Sequence, residues 1–165
     1  MFVIALDQAL QVSGYAIFNG NKLQESGTFS LPKTKPIEQR LALLYQELEN
    51  LLQKVDDEHV RLVFEDIQLQ AGNVKTYQRL AYVQAAILLW CYYHQINYNI
   101  LSPSHWRKVL GGGFGRKRDE QKQHAIDLVK ETCGKDVTSD EADAICIGLA
   151  ALKERRTQKV GFDNA

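Results

Sequence analysis

The sequence predicts an α/β protein whose mixed five-stranded sheet carries helices on both faces. Two patterns support this prediction. At the start of the chain three strand-like segments follow one another, and Asn19-Gly20 between the second and third is a strong signal for a tight hairpin. Further along, helical periodicity alternates with two more apolar strands, an order typical of parallel pairing. The sheet is therefore expected to join a three-stranded meander to two parallel strands.

The first half of the chain contains four predicted strands and one helix. Residues 3–7 (VIALD) are nearly all apolar, as in a strand that is buried on both faces of a sheet. Pro36 can open a helix, which hydrophobic residues at intervals of three and four then continue to Val55. The segment VRLVFE (60–65) is a short apolar strand that ends on an acid, as the first strand does. The other two strands of the meander cover residues 14–18 and 22–30.

The second half contains the fifth strand and four helices. A long apolar helix covers about 75–93, and the alternating segment INYNIL (96–101) is the strand. Ser102-Pro103 provides a cap and a first turn for a short helix, and GGGFG (111–115) forms a flexible loop. The last two helices are expected over 119–133, ending at Gly134, and over 139–155, capped by Thr138 or Ser139.

Length and composition indicate one globular domain. Residues 1–156 are expected to fold as a single unit, followed by a flexible tail at 157–165. The three cysteines are odd in number and lack metal-type spacing, so they predict reduced thiols in a cytosolic protein. No signal peptide is expected, and the longest apolar run (80–93) has 14 residues, too few for a membrane span.

Charged residues are unevenly distributed, although the formal net charge is zero. Residues 38–66 hold eight acids against three basic residues, and residues 104–124 hold six basic residues against two acids. Such segregation suits a protein that binds a polyanion at one place and metal cations at another. From charge alone, two solvated surfaces explain the pattern equally well.

Four acids have positions that predict a metal site. Asp7 and Glu65 each end a buried strand, and this edge of an open α/β sheet is where ligands bind. Asp140 and Asp143 lie three residues apart on the face of the last helix that should pack on the sheet. If this helix begins near the strand ends, the four carboxylates converge and repel one another. Mg²⁺ prefers oxygen ligands, and two such ions about 3.5–4 Å apart can promote phosphodiester cleavage.

Each acid alone also has a structural explanation. An acid at a strand end is often a turn residue, and an aspartate in the first turn of a helix often complements the helix dipole. Two strand-end acids combined with an inward-facing pair on a late helix are much harder to explain in that way. We therefore interpret the four acids as a metal site.

The chain resembles the RuvC-type Holliday junction resolvases of the ribonuclease H-like superfamily. The resemblance covers residues 3 to about 152 and rests on the segments ALDQALQVSGYAIF, VFEDIQ, LSPSHWRKVLGGGFGRKR and SDEADAICIGLAAL. It implies a ribonuclease H-like fold and a homodimer that cuts four-way DNA junctions with Mg²⁺. Two ions per active site are expected, with Mn²⁺ as an alternative metal. The metal-binding catalytic acids implied are Asp7, Glu65, Asp140 and Asp143.

Two neighbouring acids leave this ligand set open. Asp66 follows Glu65, and Glu141 follows Asp140. A register shifted by one residue would exchange the members of each pair.

The chain departs from the family pattern near its first two acids. Ala5, Gln8 and Ala9 stand where the bacterial form usually reads G-x-D-P-G. Gln68 takes the place of an aromatic residue that commonly wedges into the junction. These changes indicate a divergent, phage-like member that accepts a wider range of branched DNA, including forks and three-way junctions.

Six basic residues and one glutamine form the predicted DNA-binding surface. Arg and Lys around the glycine-rich loop can neutralise phosphates while reading little sequence. Arg107 or Lys108 is expected near the scissile phosphate. The segment GGGFGRK lacks the spacing and the preceding strand of a P-loop. The predicted contacts are Arg107, Lys108, Arg116, Lys117, Arg118, Lys122 and Gln68.

The long helix over 75–93 predicts a homodimer. Thirteen of residues 80–93 are apolar, so the faces that do not cover the sheet need another cover. A symmetric junction requires two cuts, which favours a twofold dimer. A helix central to one subunit would explain the same pattern.

Other functions compete with junction cleavage. A ribonuclease H-like RNase would act on RNA or hybrids, and a non-catalytic protein would bind branched DNA without cutting it. The second alternative predicts the loss of an acid, and all four are present. An actin-like ATPase would need two lobes and phosphate loops, for which the chain is too short. The leading hypothesis is a metal-dependent endonuclease in the cytoplasm, that of a bacterial host if the protein is phage-encoded.

Overall fold

The computed structural model describes residues 1–55, 59–69 and 71–154. The strands are β1 Phe2–Asp7, β2 Val12–Asn19, β3 Lys22–Ser30, β4 Val60–Glu65 and β5 Asn97–Leu101. In this part of the chain they form one sheet in the order β3-β2-β1-β4-β5. The β2 strand is antiparallel to β1 and β3, whereas β4 is parallel to β1 and β5. The predicted mixed sheet is confirmed.

Helices cover both faces of the sheet, as predicted. They are α1 Ile37–Gln53, α2 Val74–His94, α3 Pro103–Val109, α4 Arg118–Cys133 and α5 Ser139–Glu154. One hydrophobic core joins the sheet to α1 and α2, and a second core joins the opposite face to α3, α4 and α5. Among the described helices, none has both the length and the apolar character needed to cross a bilayer. The tail predicted at 157–165 lies outside the described residues.

Alternation along β1 explains how one strand serves two cores. Val3 and Ala5 belong to the α5 side, and Ile4 and Leu6 belong to the side of α1 and α2. All four are buried, as expected for a central strand that is covered on both faces. Asp7 continues the series of Val3 and Ala5 and therefore emerges on the α5 side.

The predicted caps fix the ends of the later helices. Ser102 Oγ accepts a hydrogen bond from the His105 N–H at 3.3 Å, so it caps α3 as expected. Gly134 ends α4 with a φ of 67°, a conformation that glycine adopts without strain. Thr138 Oγ1 accepts from the Glu141 N–H at 3.3 Å, which makes Thr138 rather than Ser139 the cap of α5.

Helix α5 packs directly on β2 because a glycine stands at each of two contacts, Gly148 on α5 and Gly14 on β2. A Cβ atom added to Gly148 would lie 2.3 Å from a ring carbon of Phe18. A Cβ atom on Gly14 would lie 1.9 Å from the main-chain oxygen of Asp140. Neither position has room for a side chain. Because Gly14 is paired with Asp7 across β1 and β2, this contact brings the first turn of α5 to the end of β1.

The glycine-rich loop is anchored, which corrects the expectation that it is simply flexible. Phe114 is only 4% exposed and meets the Trp106 ring edge-on, with ring centroids 5.3 Å apart. The glycines on both sides of Phe114 adopt positive φ angles. Glycine thus permits the tight path of the loop, while one aromatic side chain holds the loop in the core.

Candidate active site

A cleft of about 620 Å³ lies where β1 and β4 end. All four predicted acids line it, together with five of the seven predicted DNA-binding residues. The two exceptions, Lys108 and Lys117, are exposed and do not line the cleft. The predicted residues in its lining are Asp7, Glu65, Asp140, Asp143, Gln68, Arg107, Arg116, Arg118 and Lys122.

Parallel pairing places Asp7 beside Glu65. The last pair of the β1–β4 ladder is Leu6 with Phe64, and the two acids are the next residues on each strand. Val63, two residues before Glu65, belongs to the core on the α5 side. Because side chains alternate along a strand, both acids emerge on that same side.

Helix α5 brings the other two acids to the same place. Its first turn contacts β2 at Gly14, which is the partner of Asp7 in the antiparallel ladder. Asp140 and Asp143 are three residues apart and therefore lie on neighbouring positions of one helix face. Three separate segments thus bring four carboxylates to the lining of the cleft.

Burial and neighbouring acids disfavour ionisation of Asp7 and Asp143. Burial is the main cause that raises the pKa of Asp7 well above its usual value, and the charges on Glu65, Asp143 and Asp140 raise it further. Burial likewise raises the pKa of Asp143 to about 7, with a further contribution from Glu65. Carboxyl groups crowded in this way favour bound protons or bound cations.

The pKa of Glu65 is raised for a similar reason but is partly restrained. Burial raises it, whereas the hydrogen bond from Trp106 and the charge on Arg107 lower it. Arg107 and Lys122 also lower the pKa of Asp143. The two cations thus offset part of the negative charge of the cleft.

The donor set fits a hard divalent cation. The four side chains offer only carboxylate oxygens, which Mg²⁺ prefers, and a cation would compensate the negative charge of buried carboxylates. Within the described residues, no three His, Cys, Asp or Glu side chains are close enough to hold a metal ion by themselves. Mg²⁺ usually binds one or two carboxylates and completes its shell with water and phosphate oxygens. The arrangement therefore meets the requirements of this ion.

The basic residues of the cleft stand directly beside the acids. Lys122 Nζ lies 3.9 Å from Asp140 Oδ1 and donates to Ser139 Oγ at 3.2 Å. Arg107 stacks on the Trp106 ring, with its guanidinium carbon 4.8 Å from the ring centroid. Both cations are therefore held close to the carboxylates rather than on a separate surface.

The two alternative acids, Asp66 and Glu141, have different surroundings in the structure. The carboxylate of Glu141 binds Lys135 Nζ at 2.7 Å and Ser26 Oγ at 2.8 Å, and it does not line the cleft. Glu141 therefore joins α5 to β3, whereas Asp140 lines the cleft. Asp66 is exposed and lines the cleft next to Glu65.

Sequence reasoning missed two residues that hold Glu65. Trp106 Nε1 donates to Glu65 Oε1 at 2.8 Å, and the Gln8 side chain bonds to the main chain of Glu65. The position of Gln8 directly after Asp7 was a usable signal. Nothing in the sequence relates Trp106 to Glu65, since the two are 41 residues apart. The start of α2 adds further lining residues, Asn73, Thr76 and Tyr77.

Comparison with known sequences gives one consistent result. The model of the family described as crossover junction endodeoxyribonuclease RuvC matches residues 3–151. The chain is 25% identical over 163 residues to the crossover junction endodeoxyribonuclease RuvC of Thermomicrobium roseum, covering 97% of this chain and 98% of that protein. It is 27% identical over 162 residues to the Dehalococcoides mccartyi protein of the same name, covering 94% of each.

Comparison with solved structures agrees. Thermus thermophilus RuvC in complex with a Holliday junction substrate matches with a TM-score of 0.75 and 16% sequence identity, covering 94% of this chain and 95% of that one. At this identity the likeness shows the fold alone. It confirms the ribonuclease H-like fold that the sequence resemblance implied.

Proposed function

Since the chain belongs to the RuvC family of crossover junction endodeoxyribonucleases, we propose that it resolves Holliday junctions by metal-dependent hydrolysis of DNA phosphodiester bonds. Such an activity belongs to DNA recombination and repair. The observation that carries the proposal is the convergence of four acids from β1, β4 and α5 in one cleft beside Arg107 and Lys122. A cleft with both kinds of charge can hold metal cations and a phosphate together.

The acids are assigned as the metal ligands. Asp7 and Glu65 on neighbouring strands and Asp140 and Asp143 on α5 would hold two Mg²⁺ ions, with Mn²⁺ as an alternative. When bound, such ions supply an activated water and stabilise the leaving oxygen of the cleaved bond. The raised pKa values of Asp7 and Asp143 support this assignment, because they arise from burial and from neighbouring acids, and a bound cation would offset both effects.

The basic residues are assigned to the DNA backbone. Arg107 and Lys122, which stand closest to the acids, would contact the scissile phosphate. Arg116 and Arg118 are exposed residues that line the same cleft and would neutralise neighbouring phosphates. Lys108 and Lys117 are exposed outside the lining and are assigned to more distant backbone contacts.

The range of substrates is proposed to include forks and three-way junctions as well as four-way junctions. Gln68 lines the cleft and is exposed, so it can donate to or accept from an unpaired base. A flexible amide tolerates more than one branch geometry. The competing ribonuclease activity is tested by including an RNA–DNA hybrid among the substrates. We place the activity in the cytoplasm of a bacterium, and a phage origin stays a prediction.

A homodimer through α2 is part of the proposal. Only one face of α2 is buried against the sheet, through Val83, Ile87, Trp90 and Cys91. The outward face carries an apolar stripe, with Tyr82 43% and Leu89 58% exposed. The residues Tyr82, Ala85, Leu89 and Tyr92 follow one another at intervals of three, four and three, the spacing by which paired helices interlock. A second copy of the chain would cover this stripe.

The decisive experiment is cleavage of a synthetic four-way junction by Asp7→Asn. We expect cleavage to fall by at least about a thousandfold, because the variant removes a carboxylate at the centre of the acid cluster. Binding of the junction should be retained, because the variant reduces negative charge near DNA. Asp119→Asn is the matched control, since Asp119 is an exposed acid on α4 that does not line the cleft.

Both proteins would be assayed on a four-way junction, a fork, a linear duplex and an RNA–DNA hybrid, with and without Mg²⁺. Cleavage of the four-way junction by Asp7→Asn at the unaltered rate would refute the assignment. Faster cleavage of the hybrid than of the junction would favour the ribonuclease alternative.

A further inference from the structure

Gln8 holds the main chain of Glu65. The Gln8 side chain is only 8% exposed. Its Nε2 donates to the Glu65 carbonyl oxygen, and its Oε1 accepts from the Glu65 N–H at 3.2 Å. The side chain thereby continues the hydrogen bonding between β1 and β4 beyond Leu6 and Phe64, where the ladder of main-chain pairs ends.

Trp106 holds the carboxylate of the same residue. Its indole is fully buried, and Nε1 donates to Glu65 Oε1 at 2.8 Å. The Phe114 ring meets it edge-on at 5.3 Å, and the Arg107 guanidinium lies on its face at 4.8 Å. These two contacts help to fix the orientation of the indole.

The two contacts differ from an ordinary structural bond because they converge on one acid of the cleft. A buried indole N–H needs an acceptor, and Trp90 finds one in Glu49, away from the acid cluster. The acceptor of Trp106 is instead one oxygen of a carboxylate in the acid cluster, and a second residue fixes the backbone of that same acid. Such double restraint is typical of a side chain whose orientation matters to a ligand.

We propose that Trp106 and Gln8 are positioning residues that hold Glu65 in the orientation in which it binds the divalent cation. Trp106 engages Oε1 and leaves Oε2 for the cation, while Gln8 prevents the end of β4 from moving away from β1. The inference rests on the proposed function, because it takes Glu65 to be a metal ligand.

The chain contains a matched control for Trp106. Trp90, the other tryptophan, is equally buried and also donates its indole N–H to a carboxylate, with Nε1 2.6 Å from Glu49 Oε1. This bond joins α1 to α2 on the opposite face of the sheet. Phenylalanine at either position removes one buried indole and one such bond, so the two variants should lose comparable stability.

The test measures the binding of Mn²⁺ to the protein without DNA, followed by the electron paramagnetic resonance signal of the free ion. We expect Trp106→Phe to raise the dissociation constant about tenfold, as the loss of an outer partner of a metal ligand does. Gln8→Met, which loses both bonds to Glu65, should also weaken binding, and Trp90→Phe should not. Unchanged affinity in Trp106→Phe, or equal losses in both tryptophan variants, would overturn the proposal.

A second measurement leaves Trp106 in place, in case its replacement prevents folding. In Trp90→Phe the only tryptophan is Trp106, and Mg²⁺ should change its fluorescence because the cation and the indole share one carboxylate. No change at saturating Mg²⁺ would contradict the proposal. Asp7→Asn separates the two levels of inference. If it binds Mn²⁺ normally, the proposed metal site itself fails; if only Trp106→Phe binds normally, the positioning role alone fails.

Discussion

At the scale of single residues, the acids of the cleft lie where ionisation is unfavourable. Burial and like charges together raise the pKa values of Asp7, Glu65 and Asp143. A protein without a need for this cluster would gain stability by removing it, because each ionised acid is held away from water near others of the same sign. The loss of stability that the cluster causes can therefore be measured, and it indicates that the cluster has a function.

Asp143→Asn should stabilise the metal-free protein at alkaline pH. The pKa of Asp143 is raised from 3.8 to about 7 in the folded chain, so the folded state keeps a proton that the unfolded state has lost between these values. The stability that protonated Asp143 contributes is fully present below pH 4 and is lost as the pH rises through about 7. Asparagine has no charge to bury, so the gain should be on the order of 1–4 kcal/mol at pH 8 and small at pH 4.

The measurement is urea unfolding of both proteins in EDTA at pH 4 and pH 8. Asp119→Asn, an exposed acid outside the cleft, serves as the control. A gain of equal size at both pH values would show that the effect of Asp143→Asn does not arise from its ionisation.

The sequence predicted these acids more easily than their supports. Asp7 and Glu65 stand out because a charge ends an apolar strand, and Asp140 and Asp143 because they share a helix face. The partners of Glu65 could not be derived in this way. Whether Trp106 Nε1 reaches a carboxylate depends on how α3 packs against the end of β4, which is a tertiary distance and not a local pattern.

At the scale of elements, α5 determines whether the site exists. Of its sixteen residues, eight are buried, and five of these are alanine or glycine. Small residues allow the helix axis to approach β1 and β2 closely, as the contacts of Gly14 and Gly148 show. The distance between the strand acids and the helix acids therefore depends on residues that carry no charge.

Gly14→Ala should reduce cleavage without changing any charged group. Its Cβ would overlap the main-chain oxygen of Asp140, so the first turn of α5 must move away from β2 and take both acids with it. We expect a loss of about 1–3 kcal/mol in stability and a fall in cleavage much larger than that loss explains. Gly27→Ala on β3 is the control, since the atoms nearest to its Cβ would belong to the side chain of Tyr15 and not to main chain.

Thermal unfolding and cleavage of a four-way junction would be measured for both variants. Full cleavage by a folded Gly14→Ala protein would mean that the position of α5 is less critical than its contacts suggest.

Strand and helix limits were predictable to within a few residues because caps and periodicity are local. The burial of Phe114 could not be predicted from the sequence, because the surrounding glycines indicate flexibility. Its contact with Trp106 is visible only in the structure.

At the scale of the whole molecule, the apolar outer face of α2 allows a test of the proposed pairing with a second copy. Leu89→Glu should convert the proposed dimer into a monomer, because it places a charge in the centre of the stripe. Light scattering after gel filtration measures the change, and Val12→Glu, at an exposed apolar residue of β2, is the control. A mass that is the same for Leu89→Glu and the unaltered protein would rule out pairing through this face.

Helix α2 also connects the cleft to the proposed dimer interface. Tyr77 in its first turns lines the cleft, and Leu89, twelve residues later, lies at the centre of the outer stripe. The rise of an α-helix places these residues about 18 Å apart along one rigid rod. In a pair of chains, the register in which two such rods meet would fix the separation of the two clefts. Helix packing would then determine which two phosphates are cut, at a distance from the proposed metal ligands.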